Sequence, residues 1–203
     1  MSSNFNATGL SLFAMLLVAV ITSDLISEDL SNRSFVLYFS RAVRTRDYLI
    51  GKAGGAVIVM GLLCFLPPML LAVVSILTQS GGDYWSSLKV LGSTIVAGAL
   101  VTVFFVPFGL LMSSITRRRS YAAVGTFMSF FVLTIISGAF SEFDRAWRVI
   151  SPAESLSFAV DRIFGQNLPS YIDGGALFLF LALFILVPSF VVYWRVHSQA
   201  VGR

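Results

Sequence analysis

Long apolar runs alternate with short polar segments along the whole chain, and the runs have the length that a membrane-spanning helix needs. A bilayer core requires about 20 mostly apolar residues of helix. Five runs meet or approach this length, from Leu10 to about Ser27, Ile50 to Leu77, Leu88 to Ile115, Tyr121 to Phe140 and about Gly175 to Trp194. The pattern predicts an all-α integral membrane protein with about five transmembrane helices, forming a single domain over residues 1–203.

A shorter helix is predicted between the last two runs. Ser151-Pro152-Ala153-Glu154 has the pattern of a capping box with proline at the first helical position, and Gly165 is a typical stop. The apolar residues between them at helical spacing are Leu156, Ala159, Val160, Ile163 and Phe164. Because about 13 residues are too few to span a bilayer, we expect an amphipathic helix at the outer surface or a re-entrant helix.

Composition supports the membrane class, and charge gives an orientation. Apolar residues make up 57% of the chain and charged residues 12%, against roughly 25% charged in a soluble domain. Ten of the 14 Lys and Arg residues fall on one side of the predicted spans, in short loops rather than on one nucleic-acid-binding face. The positive-inside rule makes that side cytoplasmic. We therefore expect a multi-pass protein of the cell membrane, with the N-terminus outside and the C-terminus in the cytoplasm.

The middles of the predicted spans contain no charged residue and no histidine. Proton-coupled carriers need titratable groups there, so proton coupling is disfavoured, while Na⁺ coupling stays open. Cys64 is the only cysteine and lies within an apolar run, and the only histidine, His197, follows the last span and is interpreted as a solvated tail residue. No catalytic or metal site is therefore predicted. The chain also lacks a phosphate-binding loop. Energy for uphill transport would have to come from a partner ATPase, which would bind the ATP and Mg²⁺.

The largest cytoplasmic segment, Glu28 to Leu49, is the candidate site for such a partner. It opens with acidic residues, continues through apolar and aromatic ones, and closes with arginines. The candidate contact residues are Glu28, Asp29, Arg33, Phe35, Leu37, Tyr38, Arg41, Arg44, Tyr48 and, directly after the segment, Lys52. One interpretation is a surface helix whose arginines meet lipid phosphates. The other is a helix that docks its aromatic residues into a groove of a partner.

This region resembles the ABC-2 type transporter permease family. The shared pattern is an acidic S-D-x-I-x-E-D leaving a span, a short apolar stretch, and S-R-x-x-R-x-x-Y-L-x-G-K entering the next span. The matching residues are Ser23, Asp24, Ile26, Glu28, Asp29, Ser40, Arg41, Arg44, Tyr48, Leu49, Gly51 and Lys52. The order of spans, turns and outer helix after it also fits. The resemblance therefore covers nearly the whole chain.

The resemblance implies a function and partners. In that family the corresponding loop holds a coupling helix that contacts a separate ATP-binding subunit. It implies a permease subunit of an ABC exporter, not itself an enzyme, which works as a homodimer or with a second permease. The family's first span and the elbow helix before it have no counterpart here, which leaves a fragment, a misjudged start or a shortened subunit open. The alternatives are a non-transporting membrane scaffold and an ion-coupled carrier.

Two further patterns lie inside the spans. The phenylalanines that could line an apolar translocation path are Phe104, Phe105, Phe108, Phe127, Phe130 and Phe131. Their alternative role is ordinary packing against protein or lipid. Gly51 and Gly55 have the spacing that permits close packing of membrane helices, although an accidental pairing among 16 glycines is the alternative.

Overall fold

A computed structural model of the chain describes residues 2–32, 45–78 and 84–201. Within these ranges the chain forms six α-helices and one 3₁₀ helix, and no strand. The helices are α1 (Ser2–Ser31), α2 (Thr45–Thr78), α3 (Tyr84–Ile115), α4 (Arg119–Ser141), α5 (Pro152–Ile163) and α6 (Gly174–Val201), with the 3₁₀ helix at Arg145–Ile150.

The predicted all-α membrane class is confirmed. Three helical segments in the described part of the chain are long and apolar enough to cross a membrane: Leu88–Ile115, Arg119–Ser141 and Gly174–Ser198. The first two predicted spans lie within α1 and α2, which contain 30 and 34 residues. Large apolar side chains remain exposed on the helices, as on Leu77 and Phe178. Such surface is stable in lipid and not in water.

Helix α3 occupies the centre of the bundle and packs against all five other α-helices. Half of its apolar window is buried inside the protein, against 17% for α4 and for α6. Its phenylalanines explain this position, since Phe104 and Phe105 are almost fully buried. The remaining helices therefore surround α3, with their outward faces available to lipid.

Several helix ends differ from those predicted. Helix α2 begins at Thr45, five residues before the predicted start of the span at Ile50, and so includes Asp47, Tyr48 and Leu49. Asp47 suits the first turn because a carboxylate there interacts favourably with the helix dipole. Helix α6 continues to Val201, so His197 is an exposed helical residue whose ring stacks on Tyr193 at 5.8 Å, and it does not lie in a tail.

The amphipathic helix α5 is present at its predicted place. Ser151 is its N-cap and its Oγ accepts a hydrogen bond from the Glu154 amide at 3.5 Å. At the other end the Gln166 amide donates to the Asp161 carbonyl at 2.9 Å, and Gly165 has a φ of 80°, which favours glycine. Only two residues of the predicted face, Leu156 and Ala159, are buried; the buried set also includes Pro152 and Ser155. Phe164 caps the helix and is 43% exposed, so it does not belong to the buried face.

Two ends of the bundle can be distinguished. The basic end is where α1, α3 and α6 finish and α2 and α4 begin, and it contains Lys52, Arg117, Arg118, Arg119 and Arg195. The α5 end is the opposite one, where the 3₁₀ helix and α5 lie. Of the two interpretations of Gly51 and Gly55, the described residues favour an accidental pairing, because within this chain a methyl group added to either glycine would meet nothing within 4 Å.

Candidate functional site at the basic end

The predicted cytoplasmic segment, Glu28 to Leu49, is described at its two ends. Glu28 and Asp29 belong to the last turns of α1, and Tyr48 and Lys52 to the first turns of α2. Residues 33–44, the middle of the segment in which a coupling helix is predicted, lie outside the described residues. The same is true of the predicted contact residues Arg33, Phe35, Leu37, Tyr38, Arg41 and Arg44.

A three-residue contact joins the two ends of the segment. The Lys52 ammonium lies 2.8 Å from Asp29 Oδ2, and the Tyr48 hydroxyl donates to the same oxygen at 2.6 Å. Asp29 and Tyr48 are 8% and 7% exposed. A buried carboxylate is stable when it is paired and hydrogen-bonded. We name this contact the Asp29 clamp; it holds the end of α1 against the start of α2.

The sequence had marked these three residues as partner contacts, and the structure brings them together with one another. Glu28, the neighbouring acid, is exposed and lies elsewhere. It lines a pocket of about 490 Å³ between the end of α1 and the arginine turn Arg117 to Arg119. The site at the basic end thus has a clamp on one side of α1 and a basic pocket on the other.

Two further contacts at this end attach α6. The Arg195 Nε donates to the Ser114 carbonyl at 3.0 Å, which joins α6 to the last turn of α3. The Arg46 guanidinium lies 6.0 Å from the ring centre of Tyr193, at the outer limit of a cation–π contact, and joins α2 to α6. The cytoplasmic loop pattern gave no signal for either contact, since each pairs residues far apart in the sequence.

Helices α1 and α3 also meet at the basic end. The Ser113 hydroxyl accepts from the amides of Ile26 and Ser27 and donates to the Ser23 carbonyl, each at 2.9 Å. One turn earlier, Gly109 lies directly against the side chain of Thr22. Small residues four apart on an apolar helix are the usual signal of such a crossing. The sequence pattern suggested such packing at Gly51 and Gly55, whereas the small residues in contact with α1 are Gly109 and Ser113.

The predicted path phenylalanines divide into two groups. Phe104, Phe105, Phe108 and Phe130 are at most 8% exposed and pack together with Phe184 of α6, which sequence reasoning missed. Phe104 and Phe184 stack at 4.4 Å. Phe127 and Phe131 stack on each other at 6.2 Å, and Phe131 is 41% exposed. A role of these rings in a translocation path stays a prediction.

At the α5 end, Glu154 lies in the first turn of α5. Burial raises the pKa of this carboxyl, and the Arg148 guanidinium, 3.9 Å from Oε2, partly offsets the rise. No group of three or more metal-ligating side chains occurs in the described ranges. The contacts described at the basic end attach α1, α2, α3 and α6 to one another.

Comparison with known proteins identifies the chain. Residues 1–199 match the family described as "ABC-2 family transporter protein". No match was found among curated proteins. Since the family match covers almost the whole sequence, the chain belongs to the ABC-2 transporter family, whose members are membrane permeases of ABC transporters.

Proposed function

We propose that this chain is the permease subunit of an ABC exporter, and that a separate ATPase subunit docks on the cytoplasmic segment, Glu28 to Leu49. The Asp29 clamp is the observation that carries the proposal. Because Asp29 Oδ2 holds Lys52 at 2.8 Å and Tyr48 at 2.6 Å, the segment enters and leaves the bundle at one fixed point. A force applied to the segment then acts on α1 and α2 together.

The remaining parts of the proposal follow from the chemistry of the chain. The ATPase subunit would bind ATP and Mg²⁺, and two permease chains, identical or paired, would complete the transporter in the cell membrane. The basic end would face the cytoplasm, since ten of the 14 Lys and Arg residues belong to that side. The apolar, phenylalanine-rich centre favours a substrate that is not strongly charged.

Docking is tested by truncating two aromatic residues of the segment. Phe35→Ala and Tyr38→Ala remove side chains of the kind that dominate interfaces, each costing about 2 kcal/mol when it is a hot spot, or roughly thirtyfold in affinity. The measurement is co-purification of the partner ATPase, in mild detergent, from membranes in which it is co-expressed with the permease. We expect the double variant to insert normally into the membrane and to lose the ATPase together with transport-coupled hydrolysis.

The matched control changes charge at the same end of the bundle. Arg117→Gln with Arg118→Gln alters the basic pocket that Glu28 also lines, where contact with lipid phosphates is worth about 1 kcal/mol per residue. We expect this variant to keep the ATPase. Retention of the ATPase by the Phe35→Ala, Tyr38→Ala variant would contradict docking on the segment, and a wild-type permease that purifies alone would favour a scaffold.

Orientation is tested with single cysteines and an impermeant thiol reagent on intact cells. A cysteine at Ser3 should be labelled and one at Ser198, an exposed position near the end of α6, should not. The parent chain, with Cys64 alone, gives the background. The reverse pattern would overturn the orientation.

A further inference from the structure

The Ser113 hydroxyl makes three hydrogen bonds to the backbone of another helix. It accepts from the Ile26 and Ser27 amides and donates to the Ser23 carbonyl, at 2.9 Å in each case. Ser113, Ile26, Ser23 and Ser27 are at most 1% exposed. All of the hydrogen-bonding capacity of this hydroxyl on α3 is therefore directed at one turn of α1.

Such contacts require the backbone hydrogen bonds of α1 to lengthen between Ser23 and Ser27, which we name the opened turn. In a regular α-helix the amides of residues 26 and 27 donate to the carbonyls of residues 22 and 23, inside the helix. A side chain from outside reaches two consecutive amides only where it inserts into that ladder, which is a recognised cause of helix kinks. The Thr22 hydroxyl donates to the Val18 carbonyl at 2.7 Å, and the Ser27 hydroxyl donates to the Ser23 carbonyl. Back-bonding of this type also bends helices.

The position of this turn connects it to the Asp29 clamp and to the centre of the bundle. Asp29 is two residues after Ser27 on α1, so the opened turn is the last one before the clamp. On α3, Ser113 precedes Ser114, whose carbonyl accepts from Arg195 of α6 at 3.0 Å. The end of α1 is therefore bonded to Ser113 of α3, the central helix, and the next residue of α3, Ser114, is bonded to α6. A displacement at the end of α1 acts directly on α3 and, one residue further along it, on the link to α6.

We infer that Ser113 is the positioning residue through which movement of the cytoplasmic segment reaches α3. This inference rests on the proposed function. With the hydroxyl in place, the end of α1 and the last turn of α3 move together. Without it, the opened turn of α1 absorbs the displacement, because its amides and the Ser23 carbonyl have lost their partner on α3.

The first test uses the permease alone, in lipid nanodiscs, and hydrogen exchange of the α1 amides. Ser113→Ala should accelerate exchange at Ile26 and Ser27 on the order of tenfold, as expected for the net loss of about one hydrogen bond. Ser114→Ala is the matched control, since its hydroxyl bonds only the Leu111 carbonyl of its own helix, at 2.7 Å, among the contacts described. Equal exchange in the two variants would overturn the inference.

The second test uses the complex with the co-purifying ATPase, with and without ATP and vanadate. In the wild type and in Ser114→Ala, nucleotide should change exchange in both the end of α1 and the last turns of α3. In Ser113→Ala, ATPase association should persist and the change should stay in α1. A nucleotide-dependent change in α3 that survives Ser113→Ala would refute the role.

A third variant separates this role from a folding defect. Ser113→Cys keeps the size of the side chain and has weak donor and acceptor capacity, so it should give intermediate exchange at Ile26 and Ser27. A wild-type permease that binds no ATPase would refute the proposed function and the transmission role together. The exchange of the isolated permease would still report whether Ser113 holds the opened turn.

Discussion

The two ends of the helix bundle are held together in different ways. At the basic end, buried or charged groups join α1 to α2 through the Asp29 clamp, α1 to α3 through Ser113, α3 to α6 through Arg195, and α6 back to α2 through Arg46. These four links form a closed circuit. At the α5 end the links described are two hydrogen bonds, from Ser93 Oγ to the Ile163 carbonyl at 3.3 Å and from Ser137 Oγ to the Trp147 carbonyl at 3.1 Å, and the ion pair of Arg148 with Glu154 at 3.9 Å; each is longer than the contacts made by Asp29 and by Ser113.

The difference indicates where the bundle resists separation of its helices. Charged and hydrogen-bonded contacts shorter than 3 Å are stronger than neutral ones beyond it, and the Asp29 clamp has the lowest exposure of any ion pair described. A bundle joined firmly at one end and weakly at the other opens at the weak end first. Under the proposed function, force from the ATPase would act at the basic end, which is the firmly joined one.

The largest effect is expected from breaking the Asp29 clamp. Asp29→Asn removes the charge that Lys52 and Tyr48 share, and loss of one partner of a buried pair costs about 3 kcal/mol or more; the 27% exposure of the Lys52 side chain places the cost at the low end. Thermal unfolding in detergent should show a clear fall in Tm. Asp29→Leu with Lys52→Met should recover much of the loss, since no charge is then left alone.

The control for the clamp is the adjacent acid. Glu28→Gln changes an exposed carboxylate, and such surface changes usually stay within about 0.5 kcal/mol. Equal destabilisation by Asp29→Asn and Glu28→Gln would mean that the basic end is not held by the clamp.

A smaller effect is expected at the crossing of α1 and α3. In Gly109→Ala the new methyl group would overlap the Thr22 side chain, and overpacking of this kind costs about 1–3 kcal/mol. Gly138→Ala, near the end of α4 at the α5 end, is the matched control because its methyl group would meet nothing within 4 Å. That control should be neutral or slightly stabilising, since alanine is the better helix former. Equal tolerance of both changes would remove the contrast between the two ends.

The smallest effect is expected at Glu154, in the dependence of stability on pH. Burial raises the pKa of this carboxyl above its ordinary value, so the folded chain binds its proton more tightly than the unfolded chain does. The contribution of Glu154 to the free energy of unfolding is fully present below the pKa of the unfolded chain. It is lost as the pH rises through the higher pKa of the folded chain. Because the side chain is 43% exposed, solvent screening limits the effect to a few tenths of a kcal/mol.

Glu154→Gln should therefore raise Tm slightly at neutral pH and leave it unchanged near pH 4. Glu142→Gln, at an exposed position of the same end, should leave the difference between the two pH values as in the wild type. A fall in Tm at neutral pH in Glu154→Gln would show that the Arg148 ion pair outweighs the cost of burial.

The helices were largely predictable from the sequence because apolar runs of membrane length carry a strong signal. The cap at Ser151 and the stop at Gly165 were also predictable, since both depend on neighbouring residues only. Helix α2 begins five residues before the predicted start of the span, because the residues from Thr45 to Leu49, which include Arg46 and Asp47, lack the apolar signal of a span although nothing in them prevents a helix. The 3₁₀ helix was missed for the same reason.

The candidate site was predictable as a region and not as a set of contacts. Asp29, Tyr48 and Lys52 stood out because they belong to the shared family pattern, but their convergence on one carboxylate oxygen depends on how α1 and α2 pack. The contacts of Ser113 with α1 could not be predicted, since the hydroxyl of a serine in an apolar helix usually bonds the backbone of its own helix, as that of Ser114 does. Phe184 was no more conspicuous than Phe178, which is 74% exposed. Only packing distinguishes such residues.

The Asp29 clamp also has an evolutionary consequence. It closes the chain between α1 and α2 into a loop whose base is set by Asp29, Tyr48 and Lys52. The entropic cost of closing a loop grows only with the logarithm of its length, by about 0.6 kcal/mol for each doubling. Residues between the two ends can therefore be exchanged or inserted with little penalty to the membrane bundle, and under the proposed function a change of ATPase partner would not require redesign of the membrane helices.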